Sequence, residues 1–403
     1  MSDFFQNGVI TTLHRLSRDN IKALENELLR YTKTRPIALI LPALFSELES
    51  EALPKIVEAL KSVSYVNQIV VTMGRTNADQ FKFAGQFFSE LPQEKVILWN
   101  DGPRLATIYK SLEDEFGHFD KGKGLSAWMA YGYVLASRKS QVIALHDCDI
   151  LSYDTEMLAR LCFPIVSPRL NYEFCKGYYS RVTDRLHGRV TRLFVTPLIR
   201  SLVQILGPNP FLFYLDSFRY PLAGEFAMLA DLAWRNRIPS DWGLEVGVLA
   251  EVYRNCTLSG ICQSDLADNY EHKHQKLSAE DSSKGLMKMT TDIAKNLFRT
   301  LAGEGVVFSE GFFKSLSTTY VRQAQDAIKR YHDDSSINSL FFDRHEEAVA
   351  MEAFAGSIKT AGEHTLEDPL SIPLIPNWSR VISALPDLFD QLLEAIELDN
   401  NIC

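Results

Sequence analysis

The sequence predicts an α/β domain on a largely parallel sheet covered by helices, followed by a helical C-terminal annex. Short apolar or β-branched runs alternate with amphipathic helical stretches between residues 37 and 150, and helical periodicity dominates from about residue 283. A chain of 403 residues with 46% hydrophobic and 23% charged content can build one large core plus such an annex, which rules out a fibre or wholesale disorder.

Along the chain, residues 1–36 carry Leu13, Leu16, Ile21, Leu24, Leu28 and Leu29 as an apolar stripe between charges, the pattern of a helical lead-in. Strands are expected at 37–41, 68–72, 95–99 and 141–145, with helices at 49–63, 78–90, 103–116 and 123–138 between them. From 150 to about 275 the pattern is mixed: a strand over 174–180, an amphipathic segment over 189–206, and a block punctuated by Pro and Gly over 207–247. The helical region has a polar break near 332–337 and a Pro-rich passage at 368–376. The expected organisation is a lead-in (1–36), an α/β domain (37–282, in halves 37–150 and 151–282) and a helical extension (283–403) that serves as an annex or a dimer contact.

The 51 acids against 42 Lys and Arg leave a formal charge of −9, which repels a polyanion and weighs against a nucleic-acid function. No membrane span is expected, because the longest apolar run, around 191–206, is interrupted by Arg192 and Arg200. The opening Met1-Ser-Asp-Phe-Phe lacks a basic n-region and a signal-peptide core, so a cytoplasmic location is expected. Cys148, Cys162, Cys175, Cys256, Cys262 and Cys403 show no C-x-x-C spacing, which fits reduced thiols better than a disulfide framework or a zinc site.

In open α/β sheets ligands gather at the carboxyl ends of the strands, which points to the loops 42–47, 73–77, 100–103 and 146–149. His146-Asp147-Cys148-Asp149 follows an apolar run directly. Two carboxylates one residue apart at a strand end can bind a hard cation that in turn holds a diphosphate, as in nucleotide-sugar glycosyltransferases. The alternative is that one of the acids only caps the following turn. Upstream, Lys121-Gly122-Lys123-Gly124 opens a helical stretch with flexible backbone and positive charge that can face phosphate oxygens, or else forms a plain solvated turn; a Walker-type loop is not supported.

Tyr220-Pro-Leu-Ala-Gly224-Glu225-Phe sets a small-residue bend beside an acid, serving either a ligand or a tight turn. Asp241-Trp-Gly-Leu-Glu245-Val-Gly opens a helical pattern in which Glu245 is a site acid or an ordinary helix residue. Glu271-His272-Lys273-His274 clusters imidazoles and positive charge, too few ligands for zinc alone but able to complete a site begun by the aspartates. Arg181, Arg185, His187, Arg189 and Arg192 make a local basic patch that favours an anionic substrate over a merely solvated face.

In their linear order over about residues 36–278 these pieces resemble the glucosyl-3-phosphoglycerate synthases, retaining glycosyltransferases of the GT-A fold, and the related mannosyl-3-phosphoglycerate synthases. The resemblance implies a GT-A-type, Rossmann-like nucleotide-sugar domain with a mixed sheet, its donor half at 37–150 and its acceptor half at 151–282. The family's L-P-A-L-N-E-E element is similar to Leu41-Pro42-Ala43-Leu44-Phe45-Ser46-Glu47, implying donor contacts from Pro42, Ala43, Leu44 and Glu47. Phe45 stands where Asn is usual, and the aspartate expected near Thr72 is absent. The G-K-G element implies that Lys123 touches the donor diphosphate, and the acid-x-acid element implies that Asp147 and Asp149 hold Mg2+ or Mn2+.

By the same resemblance, Gly188-Arg189-Val190-Thr191 places Arg189 and Thr191 at the acceptor phosphoglycerate, with Gly224 and Glu225 beside it and Glu245 near the acceptor or sugar. His272 is implied as a third metal ligand, and Lys273 and His274 as acceptor contacts, His274 replacing an asparagine of the family. Lys123, Asp149 and Glu245 are the implied catalytic set, and the implied partners are a nucleoside-diphosphate sugar, 3-phosphoglycerate and a second copy in a homodimer. The implied reaction is metal-dependent transfer of glucose to 3-phosphoglycerate, in a glucosylglycerate compatible-solute pathway; mannose or another small anionic acceptor is the near alternative. A sugar-nucleotide nucleotidyltransferase and a non-catalytic sugar-nucleotide-binding protein are the rivals from other classes, the first disfavoured by the lack of a Gly-rich loop after Leu41.

Overall fold

A mixed sheet runs through the molecule, with strands β1 (Thr11–Leu13), β2 (Ile37–Leu44), β3 (Gln68–Gly74), β4 (Glu94–Trp99), β5 (Val142–Leu145), β6 (Phe174–Tyr179), β7 (Phe226–Leu229) and β8 (Ile261–Ala267). The computed structural model describes residues 5–17, 20–271, 285–370 and 374–401. The spatial order is β1-β8-β6-β7-β5-β2-β3-β4. β7 runs antiparallel to both neighbours, and the other pairings are parallel. The fold is the expected α/β, GT-A-type architecture with a helical C-terminal region.

β3, β5 and β6 are buried along nearly their whole length, because helices cover both faces of the sheet. Such strands read as continuous apolar runs, which is why their positions were legible. The helix Pro103–Phe116 matches its expected limits because Pro103 suits a first turn and Gly117 ends it at φ 90°, a backbone state costly for residues with a Cβ.

Three sequence expectations are corrected. The 1–36 stretch is not a helical lead-in throughout: Thr11–Leu13 form an edge strand on β8, and among its described residues only Ile21–Tyr31 are helical. The polar residues 332–337 do not break the chain, since one helix runs Glu310–Ile337. The block 207–247 hides β7 as well as short helices.

The C-terminal helices pack into the α/β core. Phe298, Leu316, Tyr320, Phe354, Trp378 and Ile396 share one buried cluster with Trp128, Phe194 and Leu202. Trp378 stacks on Trp128 with ring centroids 4.0 Å apart, and the indole N–H groups donate to the carbonyls of Trp128 and Pro376 at 3.1 and 3.0 Å. Burying two indoles with both donors satisfied makes this contact a strong anchor. At the sheet edge, Asn400 donates to the carbonyl of Ile97 at 2.8 Å and accepts from its N–H at 3.0 Å, covering backbone that an edge strand would leave unpaired.

Candidate active site

The site forms where β5 stops short. β5 pairs with β2 only as far as Leu145 opposite Ile40, while β2 continues to Leu44 beside Gly74. Pro42, Ala43 and Leu44 therefore run on past the end of β5, and the missing N–H of Pro42 costs no ladder bond on that side. Glu47 accepts from the Leu44 N–H at 2.8 Å, tightening the turn into the helix Phe45–Leu48. Near the position of the absent family aspartate, Thr72 accepts a 2.7 Å bond from Asn100, whose amide oxygen accepts from Tyr109 at 2.9 Å.

Lys123 begins the helix Lys123–Ser137. Its flanking glycines are required by close approach: a Cβ at Gly122 or Gly124 would lie 2.4 Å from the Ser240 carbonyl or 2.0 Å from the Pro239 carbonyl. That contact brings Lys123 to the segment preceding Glu245. The ammonium lies 2.6 Å from Asp147 Oδ1 and 3.0 Å from Glu245 Oε1. Burial alone would lower the Lys123 pKa, but the two carboxylates raise it well above its ordinary value, so it is a fixed cation.

Asp147 and Asp149 follow β5 as expected. Burial raises the Asp149 pKa, and the negative charges of Asp147 and Glu47 raise it further. A carboxylate crowded by two others is the environment a divalent cation relieves, so the donor set fits a hard metal ion. Among the described residues no group of three His, Cys, Asp or Glu that could hold a metal is assembled. His272, Lys273 and His274 lie outside the described residues. The Glu271 carbonyl accepts from Leu151 N–H at 2.8 Å, tying the chain immediately before His272 to the loop after Asp149.

Gly224 lies against Asp147, since a Cβ there would sit 2.1 Å from Asp147 Oδ2. Its neighbour Glu225 is fully buried and accepts from Tyr179 at 2.7 Å and Tyr270 at 2.8 Å. Burial and Asp147 raise the Glu225 pKa, and the two phenols counter them. Lys176, also fully buried, donates to the Ala223 carbonyl at 2.6 Å, and burial lowers its pKa to about 8. These interactions fix the 221–226 bend against Asp147.

The aromatic contacts extend toward Arg189. Tyr179 packs on Tyr220 with centroids 5.2 Å apart, and Tyr220 accepts from Arg181 at 2.8 Å. A Cβ at Gly188 would come within 3.3 Å of the Tyr220 ring. Arg189 leads into a π-helical turn, Val190–Val195, in which the Thr191 hydroxyl is buried without a partner among the described residues. The structure brings Lys123, Asp147, Gly224, Glu225 and Glu245 together, and Tyr179 and Tyr220 lead from Glu225 to Gly188, the residue before Arg189. Motif reading missed Lys176, Tyr179 and Tyr270 and took Tyr220 only as the start of the bend, because their contacts cross the sheet with no local spacing signal.

The basic patch is not one open surface. Arg185 pairs with Asp184 at 3.1 Å and lies over the Phe341 ring at 4.7 Å. Arg189 donates to Glu347 at 2.9 Å and Glu346 at 2.8 Å, and Arg192 donates to Glu347 at 3.0 Å. Both glutamates come from the first turn of the annex helix Arg344–Glu367.

A GT-A-type sheet with an acid pair and a buried lysine at the end of its central strand is the arrangement of a glycosyltransferase. A glucosyl-3-phosphoglycerate synthase of Persephonella marina is 50% identical over 402 residues, the whole of both chains. One from Methanococcoides burtonii is 41% identical over 98% of each chain. The chain belongs to the glucosyl-3-phosphoglycerate synthase family and is a glycosyltransferase, which sets aside the nucleotidyltransferase and non-catalytic readings. The fold is shared with the Mycobacterium tuberculosis glucosyl-3-phosphoglycerate synthase in complex with Mn2+, UDP-glucose and phosphoglyceric acid, with a TM-score of 0.53, 20% identity, and coverage of 74% of this chain and 89% of that one. No family model matches the sequence. Among the described residues no helix is long and apolar enough to cross a membrane.

Proposed function

We propose that the protein transfers glucose from a nucleoside-diphosphate glucose to the hydroxyl of 3-phosphoglycerate, with retention at the anomeric carbon and with a divalent cation bound by Asp147, Asp149 and His272. The observation that carries this reading is Lys123, held as a cation between Asp147 and Glu245 at the end of β5. In the transfer, the acceptor oxygen bonds to the anomeric carbon, the bond from that carbon to the diphosphate breaks, and the hydroxyl proton passes to the departing diphosphate. Negative charge collects on the leaving diphosphate, where the ammonium of Lys123 is already oriented to receive it. Bound Mg2+ or Mn2+ supplies Lewis-acid neutralisation of the same charge.

Pro42, Ala43, Leu44 and Glu47 line the donor side. Arg189 and Thr191, with Gly224, Lys273 and His274, hold the acceptor, whose phosphate end orients its hydroxyl for attack. Glu225 and Glu245 position neighbouring groups, Glu245 by holding Lys123. Glucose is favoured over mannose by the full-length relatives, and uridine is the first base to test because the M. tuberculosis relative holds UDP-glucose.

The test incubates purified protein with Mg2+ or Mn2+, a panel of nucleoside-diphosphate hexoses and 3-phosphoglycerate, with products read by mass spectrometry and Asp149→Ala as control. A glucosyl-phosphoglycerate product absent from the variant supports the reading. Donor hydrolysis without that product refutes the acceptor assignment.

A further inference from the structure

Arg189 is already occupied on two sides by carboxylates of the annex. Its Nε donates to Glu347 Oε1 at 2.9 Å and its Nη2 to Glu346 Oε1 at 2.8 Å. The two glutamates differ in exposure: the Glu347 side chain is 6% exposed and that of Glu346 is 51% exposed. Glu347 also takes Arg192 at 3.0 Å through its other oxygen, so one buried carboxylate holds two guanidiniums apart from each other's charge. Removing such a shared partner leaves two like charges side by side, so Glu347 is a fixed part of the fold. Glu346 makes a single exposed contact that a competing anion can replace.

The annex is tied to the Arg189 region by contacts of the preceding helix Glu310–Ile337 and of the connecting segment, and the helix carrying both glutamates is itself capped. Asp343 caps it, accepting from His345 and Glu346 N–H groups at 2.8 and 3.0 Å. The Phe341 N–H donates to the Asp184 carbonyl at 2.8 Å. Tyr320 donates to the Leu193 carbonyl of the π turn at 2.8 Å, and Tyr331 lies under Arg192 at 4.9 Å.

We propose that Glu347 is a positioning residue that aims Arg189 at the acceptor, and that Glu346 is a tethered competitor that an acceptor anion must displace. This rests on the reading of Arg189 as an acceptor-phosphate contact. A tethered carboxylate acts at high effective concentration, so a free monocarboxylate of equal charge displaces it poorly. A phosphate group carries more charge and more acceptor oxygens, and it displaces the glutamate where an unphosphorylated acid does not. Glu346 thereby selects phosphorylated acceptors.

The test measures acceptor Michaelis constants for 3-phosphoglycerate and D-glycerate, with the donor constant as internal control and calorimetric 3-phosphoglycerate binding as a readout without turnover. Glu346→Gln is expected to tighten 3-phosphoglycerate by about twofold to fivefold, the range set by an exposed ion pair. It should improve D-glycerate by a larger factor, narrowing the discrimination between them. Glu347→Gln should act in the opposite direction, weakening 3-phosphoglycerate by about tenfold or more as Arg189 loses its support. If Glu347→Gln fails to fold by thermal melting, the exposed Glu346→Gln arm decides alone. Unchanged or weaker 3-phosphoglycerate binding in Glu346→Gln, with Arg189→Ala still impaired, overturns this inference and leaves the acceptor site standing. Acceptor binding untouched in Arg189→Ala overturns the role of Arg189 itself.

Discussion

Lys123 and Arg189 are both cations held by two carboxylates, but their partners come from different parts of the chain. Lys123 is held by Asp147 and Glu245, both from the α/β domain, one following β5 and the other in the first turn of the helix Leu244–Asn255. Arg189 is held by Glu346 and Glu347, more than 150 residues further along, on a helix of the annex. The proposed donor side is thus assembled by the sheet itself, whereas the proposed acceptor side is completed by a region that carries no recognisable motif. A helical extension that reads as decoration contributes counter-ions to the arginine proposed to hold the acceptor.

The largest expected effect separates the donor side from stability. Asp149→Ala should reduce turnover by about a thousandfold, the scale for removing a principal electrostatic group from a transfer site. Because it removes one of three crowded carboxylates, thermal unfolding should stay within about 3 °C of the parent. A collapse of the melting temperature would make Asp149 a structural residue.

Trp378→Ala tests whether the annex is integral. Loss of the indole stacked on Trp128 should cost about 3–5 kcal/mol in urea unfolding. The transition should remain single because both regions share one core. A separate early transition at unchanged main-domain stability would mark the annex as an independent body and weaken the link to Arg189.

The smallest effect is a control away from both cations. Glu156 accepts from Arg15 at 2.6 Å and from Arg160 at 2.6 Å; burial would raise its pKa, but these bonds hold it below its ordinary 4.5. A carboxylate whose folded value is depressed contributes stability above its unfolded value and loses it as pH falls through the folded one. Glu156→Gln should therefore lower stability at neutral pH and flatten the decline below about pH 4.5, read as melting temperature against pH. An unchanged acid slope would remove Glu156 from the account.

Much of the donor side was legible because its signals are local. Buried strands read as apolar runs, Pro103 and Gly117 punctuate their helix, and Asp147 and Asp149 adjoin the end of β5. β1 was not legible, since three residues, Thr11–Leu13, become a strand only through a partner some 250 positions away. The arginine patch was visible in the sequence, but its neutralisation was not. Nothing near Arg189 and Arg192 announces Glu347, and Glu346-Glu347 reads as ordinary acidic residues in a helix first turn.

The most direct measurement is a side-by-side determination of donor and acceptor Michaelis constants for the parent and Arg189→Ala. The account predicts a rise in the 3-phosphoglycerate constant of about tenfold or more, the scale of a lost charged hydrogen bond, with the donor constant within about twofold. Equal rises for both substrates, or a rise for the donor alone, would contradict it.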